Sequence, residues 1–249
     1  MNSFLYQYIL MLGDSSMILG HRLSELCGHG PSLETDIALT NISLDLFGQV
    51  RNYFQYAAEL HGEQTEDDVA FLRLPHEYKN VLLVERPNTD FAHVIARQFF
   101  YDTYHLLLME KLSDSTDKRL SAIAQKSIKE VRYHYRFSSE WMKRLGDGTE
   151  ISKQKMQDAV NELYRFTGEL FEATPIEVEM AEHGFGPNIT ELKAEYDHRI
   201  HSIIDEAHLT LPETPWHQSG GKKGIHGEHL GYILADLQYM QRAYPNMQW

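Results

Sequence analysis

Four acidic side chains, one on each of four long predicted helices, could hold metal ions between those helices. They are Asp14 (or Glu25), Asp45, Asp102 and Glu130. Di-iron carboxylate sites in four-helix bundles take one Glu from each of two helices and a Glu-x-x-His pair from each of the other two. Residues three apart share a helix face, so the acid and the imidazole of a pair point inward together. Such a site would use iron for oxygen chemistry.

The two imidazoles that this pattern requires are missing. On the second helix, the third residue after Asp45 is Gly48, and on the fourth helix, the third residue after Glu130 is Tyr133. His134 adjoins the expected position, but one imidazole cannot replace two. We therefore expect a degenerate site that keeps its acids and binds no metal.

Acids buried together without a metal need compensating charge, because unpaired buried carboxylates are costly. Lys126 precedes Glu130 by one turn on the same predicted face, and Lys129 is adjacent to Glu130. Either ammonium is a candidate for the place that iron would take. We expect an ionic cluster of the four acids with one of these lysines in the bundle core.

Two other groups have metal-ligand spacing but fit the pattern less well. Asp102 and His105 form an acid-x-x-His pair, although on the third helix. A second group shares one face of a later helix, and its members are His198, His201, Asp205 and His208. An ordinary polar helix face is the favoured interpretation of both groups, and for the second group no other helix offers matching ligands.

The apolar residues recur with helical spacing along almost the whole chain. Four predicted helices exceed 20 residues, at about 4–27, 33–60, 88–112 and 117–145. A long connection separates the second helix from the third, whereas the other turns are short. This layout predicts an all-α, ferritin-like four-helix bundle with a long crossover, although another four-helix topology stays open.

Additional C-terminal helices are predicted after the bundle, at about 152–172, after Pro175, at 188–208 and at 227–243. No internal repeat or clear domain linker divides the chain. We therefore expect one ferritin-like domain over 1–249, with a core bundle at about 4–146 and a helical extension at about 149–249.

Composition excludes several classes of partner. The 249 residues carry a net charge of −13, which argues against nucleic acid and against anionic lipid, since both require a cationic face. No apolar run reaches membrane-spanning length, and the first residues do not form a signal peptide. A single cysteine permits no internal disulfide and fits a reducing compartment. We expect a cytoplasmic protein.

Six longer motifs carry a resemblance to a known family. They are LGD at 12–14, HRLSELCGHGP at 21–31, LDLFGQVRN at 44–52, KEVRYH at 129–134, RLGDGT at 144–149 and GGKKGIHGEHL at 220–230. In these motifs, and along essentially its whole length, the chain resembles the C subunits of bacterial multicomponent phenylacetyl-CoA epoxidases.

The resemblance implies a role in phenylacetate catabolism as a structural, non-catalytic subunit. In that system a catalytic A subunit holds the di-iron centre and epoxidises the aromatic ring, and the C subunit pairs with it. A small B subunit bridges the pairs, and a reductase with flavin and an iron–sulfur cluster delivers electrons. The resemblance therefore implies that this chain binds no cofactor of its own.

A supporting subunit needs a surface for its partner, and Tyr and Arg are the side chains that most often anchor one. Aromatic and basic residues are dense on the second and third helices, and the Gly-rich segment adds two lysines. The candidates for the interface are Arg51, Tyr53, Tyr56, Arg97, Tyr101, Tyr104, Lys222 and Lys223. Aromatic stripes on bundle helices also serve as core, so both interpretations stay open.

A CoA ester would need cations, aromatics and exposed amides, and long structured loops often supply them. The crossover and the turn after Pro175 are two possible places, and Lys222 and Lys223 in the Gly-rich segment are a third that suits phosphate contact. The candidates in the first two places are Glu77, Tyr78, Lys79 and Asn80, and Val178, Glu179 and Met180. The sequence leaves open whether the chain contacts a CoA ester at all, or only through the complex.

Two alternatives to the structural subunit remain. One is an active di-iron oxidase or oxygenase with unusual ligands. The other is a free-standing helical protein that binds metal through the face containing His198. The iron content of the purified protein would distinguish the first alternative from a structural subunit. A stable monomer that needs no partner would favour the second alternative.

Overall fold

The computed structural model describes residues 2–213, 216–245 and 247, and these residues form helices and loops without strands. The predicted outer limits of the domain, residues 1 and 249, lie outside the described residues. Nine α-helices in this part of the chain are labelled in order. They are α1 Asn2–Ser24, α2 Leu33–His61, α3 Glu66–Phe71, α4 Phe91–Leu112, α5 Lys118–Gly146, α6 Glu150–Leu163, α7 Pro175–Glu182, α8 Lys193–Glu206 and α9 Glu228–Ala243.

The ends of α2 show how local sequence fixes a helix. Ser32 has extended backbone, and its hydroxyl accepts a hydrogen bond from the Thr35 amide at 3.3 Å, which satisfies one of the free N–H groups at the helix start. At the other end Gly62 has φ 81°, and its amide donates to the Ala58 carbonyl at 2.8 Å. Glycine adopts this left-handed conformation without steric cost, so the helix stops where the sequence predicts.

The four long helices form two packed pairs, α1 with α2 and α4 with α5, and α2 also packs beside α5. The connection from α2 to α4 holds the short helix α3 and two turns. The predicted ferritin-like bundle with one long crossover is therefore confirmed. The bundle is lined by large apolar side chains from all four helices, of which Ile18, Phe54, Phe99 and Leu120 are almost completely buried.

The third long helix, α4, is the most enclosed element. The helices α5, α6 and α8 all pack on it, and nearly all of its side chains are buried. The C-terminal helices α6 and α8 therefore cover the side of α4 that would otherwise face outward.

Some predicted helix limits differ from the structure. The helix predicted at 152–172 ends at Leu163, and two 3-10 turns follow it. The second turn directs the Glu169 carboxylate inward, where it accepts backbone hydrogen bonds from Leu82 at 2.7 Å and Gly220 at 2.8 Å. Helix α4, predicted from about residue 88, begins at Phe91 after the cap Asp90. None of the helices in the described part of the chain is long and apolar enough to cross a membrane.

Candidate functional site

A group of polar side chains lies between α2, α4 and α5, where the four-helix pattern places metal. We call it the central polar cluster, and its members are Asp45, Gln49, Gln98, Asp102, Glu130, His134 and Ser138. His134 Nε2 lies 3.0 Å from Asp45 Oδ2. The Ser138 hydroxyl donates to Asp102 Oδ2 at 2.9 Å. Gln49 Nε2 donates to Glu130 Oε2 at 3.2 Å. The acids are thus bonded to neutral donors and one imidazole.

The inward stripe of α5 explains which of its side chains enter this cluster. Ser127, Val131, His134 and Ser138 are buried at helical spacing. Position 133 lies outside this stripe, and the Tyr133 side chain is 47% exposed. The prediction that position 133 faces the bundle interior is therefore wrong.

The same correction applies to α2. Its buried stripe includes Ile42, Leu46 and Gln49, so the inward residue after Asp45 is the fourth and not the third. Gly48 is exposed, and a Cβ atom added there would meet nothing within 4 Å. The prediction that Gly48 stands where a ligand would point inward is therefore wrong.

Asp14 belongs to a different place in the molecule, which is a second correction. Both of its carboxylate oxygens accept hydrogen bonds from the Arg73 guanidinium, and the Lys79 amide donates to Oδ2 at 2.8 Å. The Asp14 and Arg73 side chains are buried. Arg73 comes from the crossover, 59 residues away, so helix spacing gave no sign of it.

Neither predicted lysine supplies the compensating charge. Lys126 and Lys129 are both exposed, because their positions on α5 lie opposite the buried stripe. In the structure, His134 contacts Asp45, Ser138 contacts Asp102, and Arg73 neutralises Asp14. The predicted cluster of four acids around one ammonium is therefore wrong.

Burial opposes ionisation of the Asp102 side chain, which lies in the central polar cluster. Burial raises the pKa of the Asp102 carboxyl to about 7, and nearby His134 and the Ser138 hydroxyl lower it only in part. Gln98 Nε2 lies 3.5 Å from Asp102 Oδ1, and Gln98 Oε1 has no partner among the described residues. A protonated Asp102 could donate to that oxygen after rotation of the Gln98 amide.

This raised pKa predicts a pH dependence of stability. A carboxyl whose folded-state pKa exceeds its unfolded value makes the fold less stable as the pH rises from about 4 to about 7, with no further change above. Asp102→Asn removes that ionisation, so the free energy of unfolding at pH 8 should rise by about 1–2 kcal/mol. At pH 4.5 the variant and the wild type should be nearly equal. Urea unfolding at pH 8 and at pH 4.5 measures the free energy of unfolding of the variant and of the wild type. A variant that is less stable than the wild type at pH 8 contradicts the raised pKa of Asp102.

The donor set of the central polar cluster does not fit a di-iron site. Within residues 2–213, 216–245 and 247, no three or more His, Cys, Asp or Glu residues are arranged to hold a metal ion. Two amides and a hydroxyl, from Gln49, Gln98 and Ser138, bond the carboxylates. The Asp102-x-x-His105 pair adds no ligand bond: burial lowers the pKa of His105 to about 3, and His105 Nδ1 has no partner among the described residues. The face with His198 shows no metal-holding arrangement either.

Most of the aromatic and basic interface candidates are in the core. Their side chains are buried, and several contact partners within the chain, so they cannot anchor another protein at the surface. These are Tyr53, Arg97, Tyr101, Tyr104 and Lys222. The prediction is wrong for these five, because their side chains are enclosed by other parts of the chain: Tyr53 bonds Met109 on α4, Arg97 donates to the Arg86 carbonyl in the crossover, and Lys222 pairs with Glu177. Arg51 and Lys223 are exposed and Tyr56 is half-buried. For these three residues, contact with a partner protein remains a prediction.

The candidates for contact with a CoA ester are also partly buried and partly exposed. Tyr78, Asn80 and Met180 are fully buried, so the prediction that they contact a CoA ester is wrong. The Asn80 amide donates to Glu85 at 2.9 Å, which ties down the crossover. The other candidates are at least partly exposed, and their contact with a CoA ester remains a prediction. They are Glu77, Lys79, Val178 and Glu179.

A small cavity brings together residues that the sequence separated. It measures about 30 Å³, roughly the space of one water molecule, and Lys79, Tyr101, Tyr104, Glu177 and Lys222 are among its lining residues. Lys222 Nζ lies 2.9 Å from Glu177 Oε1, and both side chains are buried. Sequence reasoning does not find Glu177, because its partner is 45 residues away and no local motif marks the pair.

Comparisons with known proteins agree with the fold. A family model described as phenylacetic acid catabolic protein matches residues 2–249. The C subunit of 1,2-phenylacetyl-CoA epoxidase from Escherichia coli (strain K12) is 50% identical over 242 residues, which are 97% of this chain and 98% of that protein. The similarity therefore includes all three helices of the central polar cluster.

Proposed function

Because this chain belongs to the phenylacetic acid catabolic protein family, we propose that it is the structural, non-catalytic subunit of a phenylacetyl-CoA epoxidase. The relative named as the C subunit of such an enzyme supports a place in phenylacetate catabolism and in a multi-subunit complex. In this proposal, the task of the present chain is to pair with a di-iron catalytic subunit and support it. A small bridging subunit and a reductase with flavin and an iron–sulfur cluster complete the proposed set of partners.

The observation that carries the non-catalytic role is the donor set of the central polar cluster. A di-iron site needs four carboxylates and two imidazoles that converge. Here the carboxylates of Asp102 and Glu130 accept hydrogen bonds from a serine hydroxyl and a glutamine amide instead. These contacts stabilise the bundle core, and oxygen activation belongs to the partner.

The pairing role is supported by an exposed apolar face on α2. We call it the α2 outer face, formed by Leu33, Ile37, Leu44, Gly48 and Arg51. Leu33 is 72% exposed, Ile37 50% and Leu44 61%. Aliphatic side chains at this helical spacing normally face a core, and exposed apolar patches mark interaction sites. The α2 outer face is therefore the proposed contact with the catalytic subunit.

Gly48 supports the same surface. A glycine in the middle of an exposed helix costs about 1 kcal/mol relative to alanine, and nothing in the described part of this chain occupies the space beside it. A missing side chain does allow another backbone to approach closely. The cost is explained if a partner helix packs at Gly48.

Iron content tests the non-catalytic role. The chain purified alone from cells grown with excess iron should contain less than about 0.1 iron per chain, because the central polar cluster lacks the six converging ligands. Elemental analysis measures this, with the separately purified catalytic subunit as the positive control. About two irons per chain, with the absorbance band of an oxo-bridged pair, would instead establish an active di-iron enzyme with unusual ligands.

A further inference from the structure

Helix α5 has a charge opposite to that of the chain. It carries eight of the 23 Lys and Arg residues and only two of the 36 Asp and Glu residues, a net charge of +6 in a chain of −13. Four of these cations follow one another along its outer side, and we call them the α5 basic ridge. They are Lys126, Lys129, Arg132 and Arg136.

The ridge is not neutralised within the described part of the chain. Arg132 lies 3.9 Å from Glu110, at the limit of an ion pair, and its side chain is 60% exposed. Lys126, Lys129 and Arg136 are exposed and form no ion pair with any residue that the structure describes. Like charges three or four positions apart destabilise a helix. A solvated face of mixed charge would avoid this cost, so solubility alone does not explain the ridge.

A groove beside the ridge has the side chains of a protein interface. It lies between α5 and α8, has a volume of about 470 Å³, and includes Arg132, Tyr133, Arg136 and Lys143 in its lining. Tyr and Arg are enriched at interfaces, where they contribute the largest share of binding energy. Glu140 also lines the groove, but it is paired with Lys143 at 2.7 Å.

The geometry points to the α5 basic ridge and its groove as a docking site for an acidic protein surface on another component of the complex. Carboxylates of that surface bond the guanidinium groups of Arg132 and Arg136, and Tyr133 packs at the centre of the contact. This partner neutralises the repulsion along α5. The contact uses no residue of the α2 outer face, and it rests on the proposed function for the complex to which the partner belongs and so for the proteins to test.

A charge-reversal pair tests the site. Lys129→Glu with Arg136→Glu is compared with a control of equal charge change on α6, Lys153→Glu with Lys155→Glu. Affinity of the full chain for each other purified component of the epoxidase is measured at 50 and 300 mM NaCl, with coenzyme A as a separate probe. We expect one component to bind in a salt-dependent manner. The ridge variant should lose at least about tenfold of that affinity at 50 mM NaCl, and the control less than about twofold.

Three results would overturn the inference. The ridge variant could bind every component like the wild type, or the control could lose as much affinity as the ridge variant. The ridge variant could instead lose only affinity for coenzyme A, which would make the ridge a phosphate site. If the wild type pairs with the catalytic subunit in any of these cases, the proposed function stands and only the ridge assignment fails. If the wild type binds no component, both fail together.

Discussion

Asp14→Asn should lower the free energy of unfolding by about 3–5 kcal/mol, the usual cost of breaking a buried ion pair. Asp14 is completely buried and bonds the Arg73 guanidinium through both oxygens. The substitution leaves the guanidinium charged and enclosed, since Arg73 also lies over the Tyr78 ring at 4.1 Å. The Lys79 amide loses a charged acceptor as well. The crossover should detach from α1 at lower denaturant concentration.

Asp236→Asn, at an exposed position on α9, is the matched control and should change stability by less than about 0.5 kcal/mol. Urea unfolding at pH 7 measures both variants. A loss below about 1 kcal/mol for the Asp14 variant would show that the pair does not hold the crossover to the bundle.

Ile37→Arg combined with Leu44→Arg should weaken pairing with the catalytic subunit by at least about 100-fold, or roughly 2.7 kcal/mol. Both side chains are exposed in the free chain, so the variant should fold with unchanged stability. At a packed interface, the same positions would bury two unpaired charges, which is strongly unfavourable. Sedimentation of the mixed subunits measures the pairing.

Two comparisons make this prediction specific. Ile151→Arg with Ile225→Arg places the same charges at two exposed aliphatic positions outside the α2 outer face, and it should leave pairing intact. Gly48→Ala should stabilise the free chain by up to about 1 kcal/mol and still weaken pairing, because at the proposed contact its methyl group would take space that the partner needs. Equal pairing by all three variants would remove the α2 outer face as the contact.

The sequence predicted the bundle because its signals are local. Helical spacing of apolar residues, the Ser32 cap and the Gly62 stop all act within one or two turns. The long crossover followed from a stretch without this spacing. These features depend on neighbouring residues, so one sequence is sufficient to predict them.

The site was predicted less well, because it depends on the rotation of each helix and on distant partners. A difference of one position on α5 separates the buried His134 from the exposed Tyr133. No spacing rule joins Asp14 to Arg73, which pair across 59 residues of sequence. The aromatic residues of α4 were ambiguous because only the packing of the C-terminal helices decides whether that helix has an outer face.

The most direct test of the central claim is epoxidation of phenylacetyl-CoA by the co-expressed complex, with and without this chain. Wild-type complex and a complex containing Asp102→Asn should be equally active, because the proposed structural role gives no residue of the central polar cluster a part in the chemistry. Omission of this chain should abolish activity while the catalytic subunit still contains iron. Unchanged activity without this chain would contradict the proposed structural role.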